Sequence, residues 1–278
     1  MRGLSCCPVD NTASDPQTNA VAIIPARYAS TRLPGKPLLE IAGRPMILWV
    51  VERAQAARNV ARAIVATDDR RICDVVREAG FEALMTREDH ASGSDRLAEA
   101  AATLEHADVI VNVQADEPLI SPRTIELAVD ELLRSPEASI VTSCEVMTEV
   151  REVLSPDVVK VVVDEQGRAL YFSRSPIPYP RDAVREKGTL ERALADDPSL
   201  VASFRKHTGF YAYRRSFLLE YTGWPQSALE RTESLEQLRA LERGVIIKVI
   251  EAETPSIGVD TIEDLERVRA IMRKDARC

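Results

Sequence analysis

The 278-residue sequence lacks most of the signatures by which cofactor-binding proteins are recognised. No two of its eleven glycines lie two positions apart, so the dinucleotide fingerprint G-x-G-x-x-G is absent. The phosphate loop G-x-x-x-x-G-K-[ST] fails too: Pro37 follows Gly35-Lys36, and Ser30 stands where the first glycine belongs. The five cysteines (Cys6, Cys7, Cys73, Cys144, Cys278) contain no C-x-x-C spacing, which argues against zinc and for reduced thiols. The three histidines, His90, His106 and His207, form no metal-binding pair at helical spacing. No uncharged apolar run reaches the roughly 18 residues of a membrane span. No apolar stretch of a signal peptide follows Arg2. A basic surplus is also missing: 36 Lys and Arg stand against 44 Asp and Glu, a net charge of −8. That balance excludes a generic nucleic-acid binder and, at first sight, disfavours any polyanionic ligand. The expectation is a cytoplasmic protein with neither membrane nor nucleic-acid partner.

With 45% hydrophobic and 29% charged residues, the chain has an ordinary globular composition. At this length it buries roughly 75% of its unfolded surface and needs no staple. Residues 1–19, rich in Asp, Asn, Thr, Ser and Pro, are expected to form a disordered tail. Apolar runs predict strands at 20–25 (AVAIIP), 63–67 (AIVAT), 81–85 and 108–113 (DVIVNV). Helical spacing predicts helices over 45–57, 69–79, 94–104 and 122–134 between them. This alternation means a doubly wound α/β fold with a mostly parallel sheet. Farther on, 158–164 and 168–173 flank Glu165-Gln166-Gly167 as a hairpin. Strands are expected at 210–213, 245–249 and 257–259, and helices over 234–242 and after the capping box Thr261-x-x-Asp264. Residues 182–200 read as an exposed loop. The domain reading is one unit over 20–278, with a smaller, β-rich region inserted at about 150–215.

Charge is sorted along the chain. Residues 20–49 carry Arg27, Arg32, Lys36 and Arg44 against Glu40 alone, a local +3. Most of it lies in the loop after the first strand, where an open parallel sheet binds ligands. Arginine offers a planar fork to phosphate oxygens and lysine a mobile point charge, while Ser30 and Gly35 allow close backbone approach. Asp116 and Asp260 each follow a predicted strand. Two carboxylates meeting a triphosphate there would hold Mg²⁺, which takes one or two carboxylates plus phosphate oxygens. On sequence alone each is equally a turn residue.

Five blocks in order resemble those of the 3-deoxy-manno-octulosonate (Kdo) cytidylyltransferases. They are Arg27-x-x-Ser30-x-Arg32-Leu33-Pro34-Gly35-Lys36-Pro37-Leu38; His90-Ala91-Ser92-Gly93-Ser94-Asp95-Arg96; Asn112-Val113-Gln114-Ala115-Asp116-Glu117-Pro118; Arg174-Ser175-Pro176-Ile177-Pro178-Tyr179; and Glu233-Ser234-Leu235-Glu236-Gln237-Leu238-Arg239. Ala115 stands where the family usually has Gly, and Ser94 where it has Thr. Ala115 therefore requires a backbone that avoids positive φ. The resemblance implies a Rossmann-like nucleotidyltransferase fold with a hairpin-containing dimerisation and substrate subdomain. It also implies a Mg²⁺-dependent reaction of CTP with Kdo to CMP-Kdo and pyrophosphate, serving lipopolysaccharide synthesis, in a homodimer. Carried over residue by residue, Arg27, Lys36, Asp116 and Asp260 would be catalytic. Arg27, Ser30, Arg32, Lys36, Ser92 and Arg96 would bind the nucleotide, and Asp116 and Asp260 the metal. Gln114, Arg174, His207, Tyr211, Glu233 and Gln237 would face the sugar acid, the last two from one helical face at i and i+4. Rival readings are a CMP-sialic acid synthetase, a sugar-1-phosphate nucleotidylyltransferase and an inactive binding module on the same fold.

Overall fold

The computed structural model describes residues 19–29, 33–90 and 92–275. Residues 1–18 of the expected tail, and Ser30 and Arg32 of the cationic loop, lie outside them. Asn19 belongs with the fold: its side-chain amide donates to the His106 carbonyl at 2.9 Å, and its own carbonyl accepts from Asp108 N.

The first half alternates as expected. β1 (Ala20–Ala26) is entirely apolar and almost wholly buried, as a strand covered on both faces must be. A 3₁₀ turn (Lys36–Leu38) and a small hairpin, β2 (Glu40–Ile41) with β3 (Arg44–Pro45), lead into α1 (Met46–Gln55). Then come β4 (Val60–Thr67), α2 (Arg70–Glu78), β5 (Glu82–Met85), α3 (Gly93–Ala102), β6 (Val109–Asn112) and α4 (Pro122–Arg134). The helix starts are specified locally. Asp69 caps α2, Ser92 and Asp95 form a reciprocal capping box on α3, and Ser121 caps α4.

The second half continues with β7 (Ala138–Val146), α5 (Val150–Leu154), β8 (Lys160–Val163), β9 (Ala169–Ser173), α6 (Arg181–Lys187) and α7 (Leu190–Asp196). β10 (Arg205–Arg214), α8 (Arg215–Tyr221), α9 (Ala228–Glu233), α10 (Gln237–Glu242), β11 (Ile246–Glu251) and α11 (Ile262–Asp275) follow. The main sheet runs β5-β4-β1-β6-β10-β7-β11, and the antiparallel β8–β9 hairpin joins at the start of β10. β5, β4, β1 and β6 are mutually parallel, as are β7 and β11; β10 alone runs antiparallel to both its neighbours. The chain builds outward from β1 to β5 and then returns to β6 on the other side of β1. That reversal opens a crevice beyond the carboxyl ends of β1 and β6.

Four expectations are corrected. Residues 257–259 form no strand; Val259 N merely donates to the Asp116 carbonyl at 2.9 Å. β7, a central strand, gave no signal in the sequence. Residues 182–200 contain most of α6 and all of α7, whose Leu190 and Leu194 pack on Val153, Val201 and Phe204. The helix expected over 234–242 starts only at Gln237.

Apolar cores cover both sheet faces, one around Ile24, Ile47, Val65, Val111 and Phe210, the other around Ile23, Leu97, Ile110, Phe172 and Leu238. A third joins the two ends of the chain. Leu265, Val268 and Met272 of α11 pack with Val259, Ile41 and Met46. Each such buried side chain contributes roughly 1.5–3 kcal/mol, so α11 is firmly seated and fixes the position of Asp260 just before it. Among the described residues, no helix is long and apolar enough to cross a membrane.

Candidate active site

The crevice is a cavity of about 820 Å³. Its walls come from the end of β1 (Pro25, Arg27), the 3₁₀ turn (Lys36), the start of α3, the end of β6, the middle of β10, residues 234–237, and Asp260.

Gly35 shapes the turn that delivers Lys36. Its φ of 69° is left-handed, its N–H donates to the Tyr28 carbonyl at 3.0 Å, and a Cβ there would stand 3.1 Å from the Tyr28 ring. Lys36 then reaches across the crevice. Its Nζ donates to Asp116 Oδ2 at 2.5 Å and to Asp260 Oδ1 at 3.1 Å. Residues 80 and 224 positions away in sequence thus meet one ammonium. Burial alone would lower the Lys36 pKa, but the two carboxylates outweigh it and hold the amine above its ordinary value.

Arg27 lines the cavity and ties its near wall together. Its Nη2 donates to the carbonyls of His90 at 2.8 Å and Ser92 at 2.9 Å. Ser92, Gly93 and Ser94 bring the start of α3 to the wall. The Ser92 hydroxyl accepts from Asp95 N as the cap. Arg96 is a correction. It is fully buried behind the wall, bonded to Asp68 and Thr86, where it fastens α3 to the ends of β4 and β5. Asp68 and Thr86 directly follow these two strands, and a buried arginine needs such partners.

At the end of β6, Asn112, Gln114, Ala115 and Asp116 face the cavity. Ala115 is not among the residues of positive φ, as its Cβ requires. Gln114 Nε2 donates to the Gly209 carbonyl at 2.9 Å, joining β6 to the irregular stretch of β10. Tyr211 and Tyr213 of β10 also line the cavity, their rings stacked 5.6 Å apart.

The sugar-side expectations divide. Gln114, Tyr211 and Gln237 reach the wall; His207, Arg174 and Glu233 do not. His207 bonds Thr142 Oγ1 at 2.9 Å and packs against Phe172 and Tyr211. Burial pushes its pKa down to about 3, so it is neutral. Arg174 directs its guanidinium to the carbonyls of Glu233, Pro156 and Ser234. Glu233 accepts from Ser173 Oγ at 2.7 Å and Arg174 N at 3.0 Å. The two form a brace behind the wall. Glu233 and Gln237 do not share a helical face, because Ser234 adopts a left-handed φ of 53° and separates α9 from α10.

That break turns a residue missed in the sequence into the cavity. Glu236 lines it and accepts from Ser94 Oγ at 2.5 Å. Asn112 and Tyr213 were likewise missed, although Asn112 and Glu236 lie inside recognised blocks. Asn112 Oδ1 and Gln237 Nε2 are buried without a partner among the described residues, and both belong to cavity-lining side chains. Both atoms could hydrogen-bond a polar ligand in the cavity. Glu117 lies behind Asp116; burial, with help from Asp116 and Glu145, pushes its pKa up to about 8.

No cluster of three or more His, Cys, Asp or Glu side chains exists among the described residues. Magnesium does not need one, since one or two carboxylates with phosphate oxygens suffice. Asp116 and Asp260 approach closely enough to share a single cation, Lys36 Nζ, so the residues fit the ion.

Comparison with known proteins identifies the family. The Cytidylyltransferase family model matches residues 21–250. The 3-deoxy-manno-octulosonate cytidylyltransferase of Trichlorobacter lovleyi is 52% identical over 254 residues, covering 91% of this chain and 98% of that one. Its counterpart from Pseudomonas fluorescens is 51% identical over 253 residues, covering 90% and 96%. The structure of a CMP:2-keto-3-deoxy-manno-octonic acid synthetase complexed with CTP superposes with a TM-score of 0.83 at 46% identity, covering 93% of this chain and all of that one. At 12% identity and a TM-score of 0.60, 4-diphosphocytidyl-2C-methyl-D-erythritol synthase from Anaerococcus prevotii shares the fold.

Proposed function

We infer, for a chain that belongs to the 3-deoxy-manno-octulosonate cytidylyltransferases within the wider cytidylyltransferase family, that it activates Kdo with CTP to give CMP-Kdo and pyrophosphate. The observation that carries this reading is the meeting of Lys36, Asp116 and Asp260 at the switch point of the sheet. An acidic chain concentrates there a cation for phosphate and a carboxylate pair for a metal.

The anomeric hydroxyl of the sugar acid loses its proton to solvent as its oxygen bonds to the α-phosphorus of CTP. The bond from that phosphorus to the bridging oxygen breaks, and pyrophosphate leaves. Catalysis of such a transfer is chiefly positioning and charge stabilisation. Arg27 and Lys36 supply positive charge to the triphosphate, and Ser92 adds a polar group on the nucleotide side. Ser30 and Arg32 extend this set by sequence. Asp116 and Asp260 would hold Mg²⁺, which when bound would neutralise phosphate charge. On the sugar side Gln114, Tyr211 and Gln237 read hydroxyls, joined by Asn112 and Glu236. The unpartnered Asn112 Oδ1 and Gln237 Nε2 support that assignment.

The reading includes a cytoplasmic homodimer. The β8–β9 hairpin exposes Leu170 (59%) and Val163 (38%), which supports this hairpin as the contact. Gel filtration with light scattering tests the dimer; a monomer at micromolar concentration removes it.

A pyrophosphate-release assay with CTP, Mg²⁺ and a panel of sugar acids tests the activity. Release is expected with Kdo and not with sialic acid. Release with sialic acid alone makes the chain a sialic acid synthetase, and no release with any acid makes it a binding module.

A further inference from the structure

Lys36 stands where the metal of the proposed reaction would have to bind. Its ammonium contacts both carboxylates, at 2.5 and 3.1 Å, and its side chain is only 16% exposed. A Mg²⁺ ion bonds carboxylate oxygens at about 2.0–2.1 Å. An ion so bound to Asp116 and Asp260 would lie against the ammonium with little water between them to screen two like charges. The two cations thus compete for the same pair of carboxylates. The triphosphate offers Lys36 another partner in the same cavity, whose wall already carries Arg27.

We propose that Lys36 and the divalent cation are alternative occupants of the Asp116–Asp260 pair, and that the triphosphate opens the pair to the metal by drawing the ammonium away. This rests on the reading of Asp116 and Asp260 as the metal ligands. In the empty protein, Lys36 neutralises two carboxylates that would otherwise repel each other across the crevice. When nucleotide arrives, the same charge moves to the phosphates and the carboxylates can take the ion in place of the ammonium. Metal and nucleotide then bind cooperatively, and by linkage each tightens the other by the same factor.

The test uses Mn²⁺ as the probe on nucleotide-free full-length protein, with binding read from water-proton relaxation. Wild type is expected to bind weakly and Lys36→Met at least tenfold more tightly. Lys36→Arg, which keeps the charge, should stay weak. Adding Asp260→Asn to Lys36→Met should abolish the gain. A folded Lys36→Met protein with unchanged Mn²⁺ affinity overturns the proposal. A second measurement needs no variant. Acetic anhydride labelling of wild type, read by peptide mass spectrometry, should modify Lys36 faster at saturating Mg²⁺ than without it; an unchanged or slower rate overturns the proposal. Failure of the underlying metal reading looks different. In that case turnover of CTP and Kdo survives Asp116→Asn and Asp260→Asn, whatever the Mn²⁺ titrations show.

Discussion

The two walls of the crevice are built on opposite plans. On the side proposed for the triphosphate, charged groups converge on open space: Lys36, Asp116 and Asp260 meet one another and the cavity, and Arg27 lines it. On the side proposed for the sugar, Arg174 and Glu233 of the recognised blocks turn away. Arg174 and Glu233 bond each other's backbone, and His207 lies behind Tyr211. What faces the cavity there is mainly neutral: Asn112, Gln114, Tyr211, Tyr213 and Gln237, with Glu236 the exception. The difference fits the two ligands. A triphosphate is recognised by charge, which is strong and tolerant of geometry. A polyhydroxylated sugar is recognised by hydrogen bonds, which need a wall held rigidly from behind.

The contrast can be broken most forcefully at the carboxylates. Asp116→Asn or Asp260→Asn is expected to lower kcat about 10³-fold in steady-state assays, since metal stabilisation of phosphoryl charge is worth several kcal/mol. Near-normal Mg²⁺-dependent turnover in both would end the metal assignment. On the other wall the expected effect is smaller and selective. Gln237→Leu should raise the KM for Kdo about tenfold and leave the KM for CTP unchanged, as loss of one or two neutral hydrogen bonds would. Because its Nε2 has no partner among the described residues, the melting temperature should not fall. Glu233→Ala should do the reverse. It orphans Ser173 Oγ and Arg174 N and is expected to cost about 1–3 kcal/mol of stability in urea unfolding. A raised Kdo KM with unchanged stability would instead make Glu233 a ligand.

The smallest effect is at His207 and appears only in acid. With its pKa near 3 in the fold and near 6.5 when unfolded, the unfolded chain binds the extra proton between those values. Stability contributed by the neutral ring is complete above pH 6.5 and falls as pH drops toward 3. His207→Gln should therefore match wild type at pH 7.5 in thermal melts. Below pH 6 it should flatten the decline by at most about 1.4 kcal/mol per pH unit. Equal slopes would mean that His207 is protonated in the fold.

What could be read from the sequence follows the same division. The parallel half was legible because β1 and β6 are plain apolar runs and the intervening helices carry caps and a clear face. β7 was not, because its buried Thr142, Ser143 and Glu145 look like a loop. Thr142 bonds the Phe210 carbonyl and His207, and Ser143 bonds Thr208, so these polar groups are satisfied only across to β10. No local pattern reports a partner that distant. The strand expected at 257–259 failed for the opposite reason: it is apolar, but no strand lies beside it. At the site, Lys36 was expected in the loop after β1 and Asp116 and Asp260 at strand ends, and the structure brings the three side chains together. The i, i+4 argument for Glu233 and Gln237 assumed an unbroken helix, and the left-handed Ser234 removed that premise.

The placement of β10 between β6 and β7 has a consequence for how the protein is made. During synthesis β1, β4, β5 and β6 emerge first and can pair locally, but the β6 edge stays bare until β10 has left the ribosome, since Gln114 and the Gly209 it bonds are 95 residues apart. Pairings so far apart in sequence close slowly. The second carboxylate arrives later still, 224 residues after the lysine it meets. A nascent chain can thus hold most of its sheet and yet have no complete reaction centre. If that meeting is the reaction centre, as proposed, it is the last part of the site to form, and a chain interrupted before Asp260 would lack it.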